Sequence, residues 1–221
     1  TELEHEMLRY DPIAEQHNVT AAKARVNASG HSTWTPQMDA IYDQICEHLD
    51  NDTGDLIFVQ GKAGVGKTTL NRVLLAECRS REMVGLVCAP TALAASLYEH
   101  GMTCHEACKL NVVEDEQWES YASRLQSFPG RCELLIACRL LIIDEVYNVH
   151  RGNFNAMIKA LQQIRNSTHH SFFFVGWQIE DEQKRAPIPR TGLNLHCHCR
   201  DHGKTQQCID LKRPRSTVYL W

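Results

Sequence analysis

The chain has 221 residues, a formal charge of −4, 43% apolar residues and ten cysteines. That length suits one well-buried domain with an extension. The weak negative charge removes any global nucleic-acid signal, so such binding has to come from a local surface, and no apolar run approaches the ~20 residues of a membrane span. The cysteines are scattered, with no signal peptide before them. They read as reduced thiols of an intracellular protein (nucleus or mitochondrion in a eukaryote, cytoplasm otherwise) rather than as a disulfide scaffold.

Residues 1–33 form a polar N-terminal segment of mixed charge with weak helical periodicity. A helix start then appears, with Thr35 as N-cap and Pro36 at the first helical position. Ile41, Ile45 and Leu49 follow as one apolar stripe, and Asn51–Gly54 ends the helix as a turn. Four apolar runs come next: Leu56–Val59, Val84–Cys88, Leu140–Ile143 and Phe172–Val175. Helical patterns lie between them near Thr68–Arg81, Thr91–Glu99 and Phe154–Ile164. Strands alternating with amphipathic helices predict an α/β fold, a parallel sheet covered by helices on both faces. Val112–Arg131 reads as a polar insertion holding one helix around Trp118–Leu125. The lobe so defined spans residues 34–178. Residues 179–221 read as an irregular, basic, Cys/His-rich tail, with eight Lys/Arg against two Asp between Lys184 and Arg215.

The string Gly61-Lys62-Ala63-Gly64-Val65-Gly66-Lys67-Thr68-Thr69 fits the phosphate-loop pattern G-x-x-x-x-G-K-[ST], between an apolar run and a helical one. Such a unit turns successive backbone N–H groups and a helix N-terminus toward one point, which suits a polyphosphate. Lys67 would reach the β- and γ-phosphates, and Thr68 would offer its hydroxyl to Mg²⁺. Leu140–Ile143 ends in Asp144 and Glu145. Ligands of an open parallel sheet bind at the carboxyl ends of its strands. Asp144 therefore fits a second Mg²⁺ partner, and Glu145 fits the residue that polarises an attacking water. The plainer readings are a Gly-rich turn and a strand that happens to end in acids.

Two further segments follow strand and helix in turn: Cys88-Ala89-Pro90-Thr91-Ala92-Leu93-Ala94-Ala95 and Gly101-Met102-Thr103-Cys104-His105-Glu106-Ala107-Cys108-Lys109-Leu110. By their residues alone, the first is a strand exit rigidified by Pro90 and capped by Thr91. The second is a loop after a Gly-terminated helix. In order with the phosphate loop and Leu140–Glu145, they closely resemble the petite-integration-frequency (PIF) type DNA helicases. These form part of the RecD-like branch of superfamily one, which includes the helicase part of Helitron transposons.

The resemblance covers roughly Trp34–Gly176 and implies a RecA-like P-loop NTPase lobe that uses ATP and Mg²⁺. It implies that Gln37 reads adenine, and that Gly61, Ala63, Gly64, Val65, Gly66, Lys67, Thr68 and Thr69 hold the nucleotide. Thr68 and Asp144 would serve the metal, while Lys67, Glu145 and Gln178 would serve hydrolysis. Pro90, Thr91, Thr103 and His105 would touch single-stranded DNA. The activity implied is 5′-to-3′ ATP-dependent DNA unwinding in repair, recombination, telomere maintenance or transposition.

Some positions depart from the family pattern: Leu93 replaces a Gly, and Cys108 replaces an aromatic. After Phe172–Gly176 comes Trp177-Gln178-Ile179, without the Asp of G-D-x-x-Q. The second motor lobe is expected from a full-length parent. Its arginine finger is worth about 10³–10⁵ in hydrolysis rate, so a first lobe alone should turn ATP over slowly. The alternatives are a non-catalytic nucleotide- or DNA-binding remnant, an NTPase of another family, and RNA as the strand bound. In the tail, His196, Cys197, His198, Cys199, His202 and Cys208 could supply zinc ligands, although their spacing departs from the usual C-x₂₋₄-C.

Overall fold

The computed structural model describes residues 1–51, 55–61, 64–112, 121–165, 173–179 and 217–220. In chain order the elements are α1 (Glu2–Leu8), α2 (Pro12–Lys23), α3 (Pro36–Asp50), β1 (Asp55–Gly61), α4 (Lys67–Ser80) and β2 (Val84–Ala89). They continue with α5 (Ala92–Ala95), β3 (Met102–Thr103), α6 (Cys104–Cys108), α7 (Pro129–Ala137), β4 (Cys138–Ile143), α8 (Arg151–Arg165), β5 (Phe173–Ile179) and β6 (Thr217–Leu220). The strands form one sheet in the order β3-β2-β4-β5-β1-β6, parallel at every pairing.

Strand periodicity divides the core in two. On β4, Leu140 and Ile142 face the cluster built on α2, α3 and α4, with Val19, Met38, Ile41, Ile45, Leu70 and Leu74. Leu141 and Ile143 face the opposite cluster, with Leu134, Leu135, Met157 and Leu161 of α7 and α8. Successive strand side chains point to opposite faces. The apolar run Leu140–Ile143 is thus explained by helices on both sides. Each buried Leu or Ile contributes about 1.5–3 kcal/mol of transfer free energy.

The four expected strands and the three longest expected helices are present, and the structure adds to them. The N-terminal segment holds two helices. Thr1 and Glu4 close a capping box on α1, and Asp11 caps α2 ahead of Pro12, the same signal that starts α3 at Thr35-Pro36. The pattern at Thr91–Glu99 yields only the single-turn α5. The chain then turns tightly, because a Cβ on Gly101 would meet the Ala95 carbonyl oxygen at 2.2 Å.

A helix over Trp118–Leu125 is not found in the described part of that range. Ser123 instead bridges to Leu110, a 3₁₀ turn begins at Leu125, and residues 113–120 lie outside the described residues. Helix α7, begun by Pro129, starts at the end of the expected insertion and runs beyond it. Within the tail, Thr217–Leu220 returns to the sheet as an edge strand beside β1, as a β-branched and aromatic run can. The tail histidines and cysteines lie outside the described residues, among which no group of three or more His, Cys, Asp or Glu could hold a metal. No helix among the described residues is long and apolar enough to cross a membrane.

Candidate nucleotide site

The loop from β1 to α4 is shaped by its glycines. Gly64 has φ +80° and Gly66 φ +93°, a region that costs an L-residue about 1–2 kcal/mol. Gly66 is the N-cap of α4, with no side-chain cap and no acid in the first turn. The first N–H groups of the helix therefore keep their capacity for an anion. Lys67 Nζ folds back onto the Gly61 carbonyl oxygen at 2.9 Å. Burial pushes its ammonium below the ordinary lysine range, and the charge of Asp144 offsets part of that. Val65, Lys67, Thr68 and Thr69 are half-buried around the turn, while Lys62 and Ala63 lie outside the described residues.

Gln37 stands exposed in the first turn of α3. Its neighbour Met38 is buried at 1% exposure, with Cε 2.3 Å from where a Cβ on Gly66 would stand. The start of α3 is thereby set against the phosphate loop.

Asp144 follows β4 at the carboxyl edge of the sheet, the edge where β1 enters the loop. Its N–H donates to the Cys88 carbonyl oxygen at 2.9 Å, and its side chain is 6% exposed. Asp144 Oδ1 accepts the Glu145 N–H at 2.9 Å, and Oδ2 accepts the Tyr98 hydroxyl at 2.5 Å. Tyr98 in turn accepts from Asn71 Nδ2 at 2.9 Å, and the Thr68 side chain lies close to the same phenol. Burial, then Asp144, drives the phenol's pKa up, so it stays protonated.

Glu145 adopts φ +52°, held by Asn148 Nδ2 on Oε2 at 3.2 Å. The hydroxyl of Thr68 and the carboxylate of Asp144 are hard oxygen donors near one phenol, a set that fits Mg²⁺. Gln178 lies on β5 in register with Gln60, inside the strand rather than beyond it.

Pairing of β2 with β3 sets Ala89 opposite Thr103, which brings the two expected DNA-contact segments side by side. Thr91 caps α5 by accepting from Ala94 N at 3.2 Å. Thr103 caps α6 by accepting from Glu106 N at 3.1 Å. A hydroxyl that accepts a backbone N–H keeps its own proton to donate, so capping leaves both able to meet a phosphate oxygen. His105 Nε2 lies 3.2 Å from Asn153 Nδ2, and Pro90 is half-buried at the strand exit. Sequence reasoning missed Tyr98, Asn71 and Met38. The signal available for Tyr98 was a lone phenol directly after the apolar and small stretch Ala92–Leu97.

A parallel sheet covered on both faces, with this loop after β1 and an Asp-Glu pair after β4 at the same carboxyl edge, one strand removed, defines a RecA-like P-loop lobe. Residues 34–180 match the PIF1-like helicase family. The chain belongs to that family.

A curated relative, the ATP-dependent DNA helicase PIF6 of Trypanosoma brucei brucei, is 27% identical over 143 residues, 65% of this chain and 17% of the relative. Among solved structures, the Pif1 helicase from Candida albicans superposes with a TM-score of 0.54 at 20% identity, covering 65% of this chain and 32% of that one, a likeness of fold. Unliganded Pif1 from a Bacteroides species is 26% identical, covers 68% of this chain and 34% of its own, and has a TM-score of 0.47. The chain thus spans about a third or less of the length of each.

Proposed function

We propose that this chain is the first motor lobe of a 5′-to-3′ ATP-dependent DNA helicase. In this reading it binds ATP with Mg²⁺ and hydrolyses it while contacting single-stranded DNA. The observation that carries the reading is the buried Asp144, held by the Tyr98 hydroxyl that Asn71 of α4 also engages, at the sheet edge where the phosphate loop opens α4. Membership of a helicase family and a relative named an ATP-dependent DNA helicase support the choice of machine.

The loop N–H groups and Lys67 would hold the phosphates, with Gln37 at the adenine and Thr68 and Asp144 on the cation. When bound, Mg²⁺ would neutralise phosphate charge. Glu145 would orient the attacking water and accept its proton, and Gln178 would sense the γ-phosphate. Pro90, Thr91, Thr103 and His105 would track the DNA backbone, where hydroxyls and turns position a strand without reading sequence. A second lobe would complete the site. Such a protein works where DNA is, in the nucleus or a mitochondrion of a eukaryote or in a bacterial cytoplasm, serving repair, recombination, telomere maintenance or transposition.

ATP turnover of the full chain, measured with and without a single-stranded oligonucleotide, tests this reading. The expected result is slow turnover, stimulated by the oligonucleotide and lost in Lys67→Ala and Glu145→Gln. Turnover that neither variant changes would overturn the enzyme reading. Nucleotide binding that oligonucleotides and His105→Ala leave untouched would point to an NTPase of another kind, and stronger stimulation by RNA would change the strand.

A further inference from the structure

Tyr98 lies outside the phosphate loop and the acidic strand end, yet it joins them. It is 4% exposed. Its one proton goes to Asp144 Oδ2 at 2.5 Å, which leaves the phenol oxygen's lone pairs for Asn71 Nδ2 at 2.9 Å, with the Thr68 side chain close by. Asn71 stands three residues after Thr68 on α4, hence on the same helix face.

The other Asp144 oxygen is oriented by the Glu145 N–H, so both carboxylate oxygens are fixed by donors and retain further lone pairs. The phenol's backbone is anchored as well: Tyr98 N–H donates to Ala95 O and Gly101 N–H to Tyr98 O, both at 3.1 Å. Arg72 of α4 holds the neighbouring Leu97 carbonyl.

We propose that Tyr98 is the positioning residue of the Thr68–Asp144 pair, holding the two oxygens in the mutual orientation that a Mg²⁺-bound nucleotide requires. Tyr98 also ties that pair to the Thr91–His105 segment. The proposal rests on Thr68 and Asp144 being the Mg²⁺ oxygens. Partners behind metal ligands set ligand orientation, and their loss typically costs about 10–100-fold in metal affinity.

The test is ADP binding to the full chain by titration calorimetry, once with Mg²⁺ and once with EDTA. Wild type is expected to bind ADP more tightly with Mg²⁺. Tyr98→Phe keeps the ring and removes the hydroxyl. It should lower the Mg²⁺-dependent gain by about 10-fold or more and leave affinity in EDTA unchanged, a split that a packing defect would not produce.

Asn71→Leu keeps Tyr98 and removes its donor. Because Asn71 is fully buried with Oδ1 lacking a partner among the described residues, an apolar replacement there is tolerable. A smaller loss in the same sense is expected. A full Mg²⁺ gain in Tyr98→Phe overturns the proposal, and so does a full gain in Asn71→Leu if the tyrosine variant does not fold. A wild-type chain whose ADP affinity ignores Mg²⁺ overturns instead the assignment of Thr68 and Asp144.

Discussion

Met38 fills the space that a side chain on Gly66 would need: its Cε lies 2.3 Å from the position of a Cβ there. Gly66 also has φ +93°. Gly64, at φ +80°, has nothing among the described residues within 4 Å of its Cβ position. The two glycines therefore separate backbone strain from crowding. Gly64→Ala should lose only the left-handed penalty of about 1–2 kcal/mol. Gly66→Ala should lose more, because Met38 is the far end of a flexible chain that must also move out of a packed site. Urea unfolding checks this, read from midpoints at constant slope. Equal losses would mean that Met38 yields freely, and that α3 is not seated on the loop as described.

Lys67 gives a pH dependence with two opposite signs. Burial holds its pKa below the ordinary lysine range, with Asp144 restoring part of it. The unfolded chain then binds more protons between the two pKa values. The folding penalty of this one group is therefore relieved as pH rises through the lowered value. Phosphate binding needs the charged form and weakens over the same rise. ADP affinity should accordingly fall on the alkaline side from a lower pH than an unperturbed lysine would give, while the contribution of this group to stability improves. Lys67→Arg stays charged to a pH of about 12 and should flatten the affinity profile. An identical profile in wild type and Lys67→Arg would remove Lys67 as the titrating group.

Arg165 ends α8 and reaches across to the end of α7 and the start of β4. It donates to the Leu135, Ile136 and Cys138 carbonyl oxygens at 2.7, 3.2 and 2.5 Å, groups that a terminating helix leaves without intrahelical partners. The residue is 9% exposed, and burial lowers its pKa. Arg165→Met should cost about 3 kcal/mol, because buried carbonyls lose a charged donor. Arg165→Lys should recover only part, since an ammonium is more strongly hydrated than a guanidinium and loses more on burial. Thermal unfolding of the three proteins measures the order. A neutral Arg165→Met would show water replacing the guanidinium.

What the sequence made legible was local. Apolar runs with Gly or acids at their ends became β1, β2 and β4, and Thr35-Pro36 opened α3 because a clear apolar stripe followed. Asp11-Pro12 is an equal start signal, but α2 has only Val19 as a buried apolar residue, so its periodicity is faint. The phosphate loop and Asp144-Glu145 are contiguous strings and could be read directly. Tyr98 and Asn71 could not. Their bonds span 46 and 27 positions, and a buried polar residue has no local signature until its partner is in place. The edge strand β6 lies far in sequence from β1, and β3 has two residues, too few for any period to register.

The N-terminal helices make the last prediction, since a polar reading of residues 1–33 would treat them as dispensable. Val19 of α2 is 3% exposed inside the cluster shared by α3 and α4. Lys23 Nζ stands 3.5 Å from the Tyr42 ring centroid and pairs with Asp39 at 3.4 Å. The Arg79 guanidinium of α4 lies 3.6 Å from the Tyr10 ring centroid. Tyr42 donates to the buried Glu77 Oε2 at 2.6 Å, so the surface that α2 covers includes a polar pair that water would otherwise reach. Val19→Ala removes two methyl groups and should cost about 1.5 kcal/mol. Removing residues 1–24 should cost more, by uncovering Val19's neighbours and the Tyr42–Glu77 pair. Neither change touches the loop, so ADP affinity per folded molecule should hold. Differential scanning fluorimetry paired with ADP titration separates the outcomes. A shortened chain as stable as the whole would show that α2 does not dock on α4 in solution. A stable but nucleotide-blind one would mean that α2 supports the phosphate loop through α4.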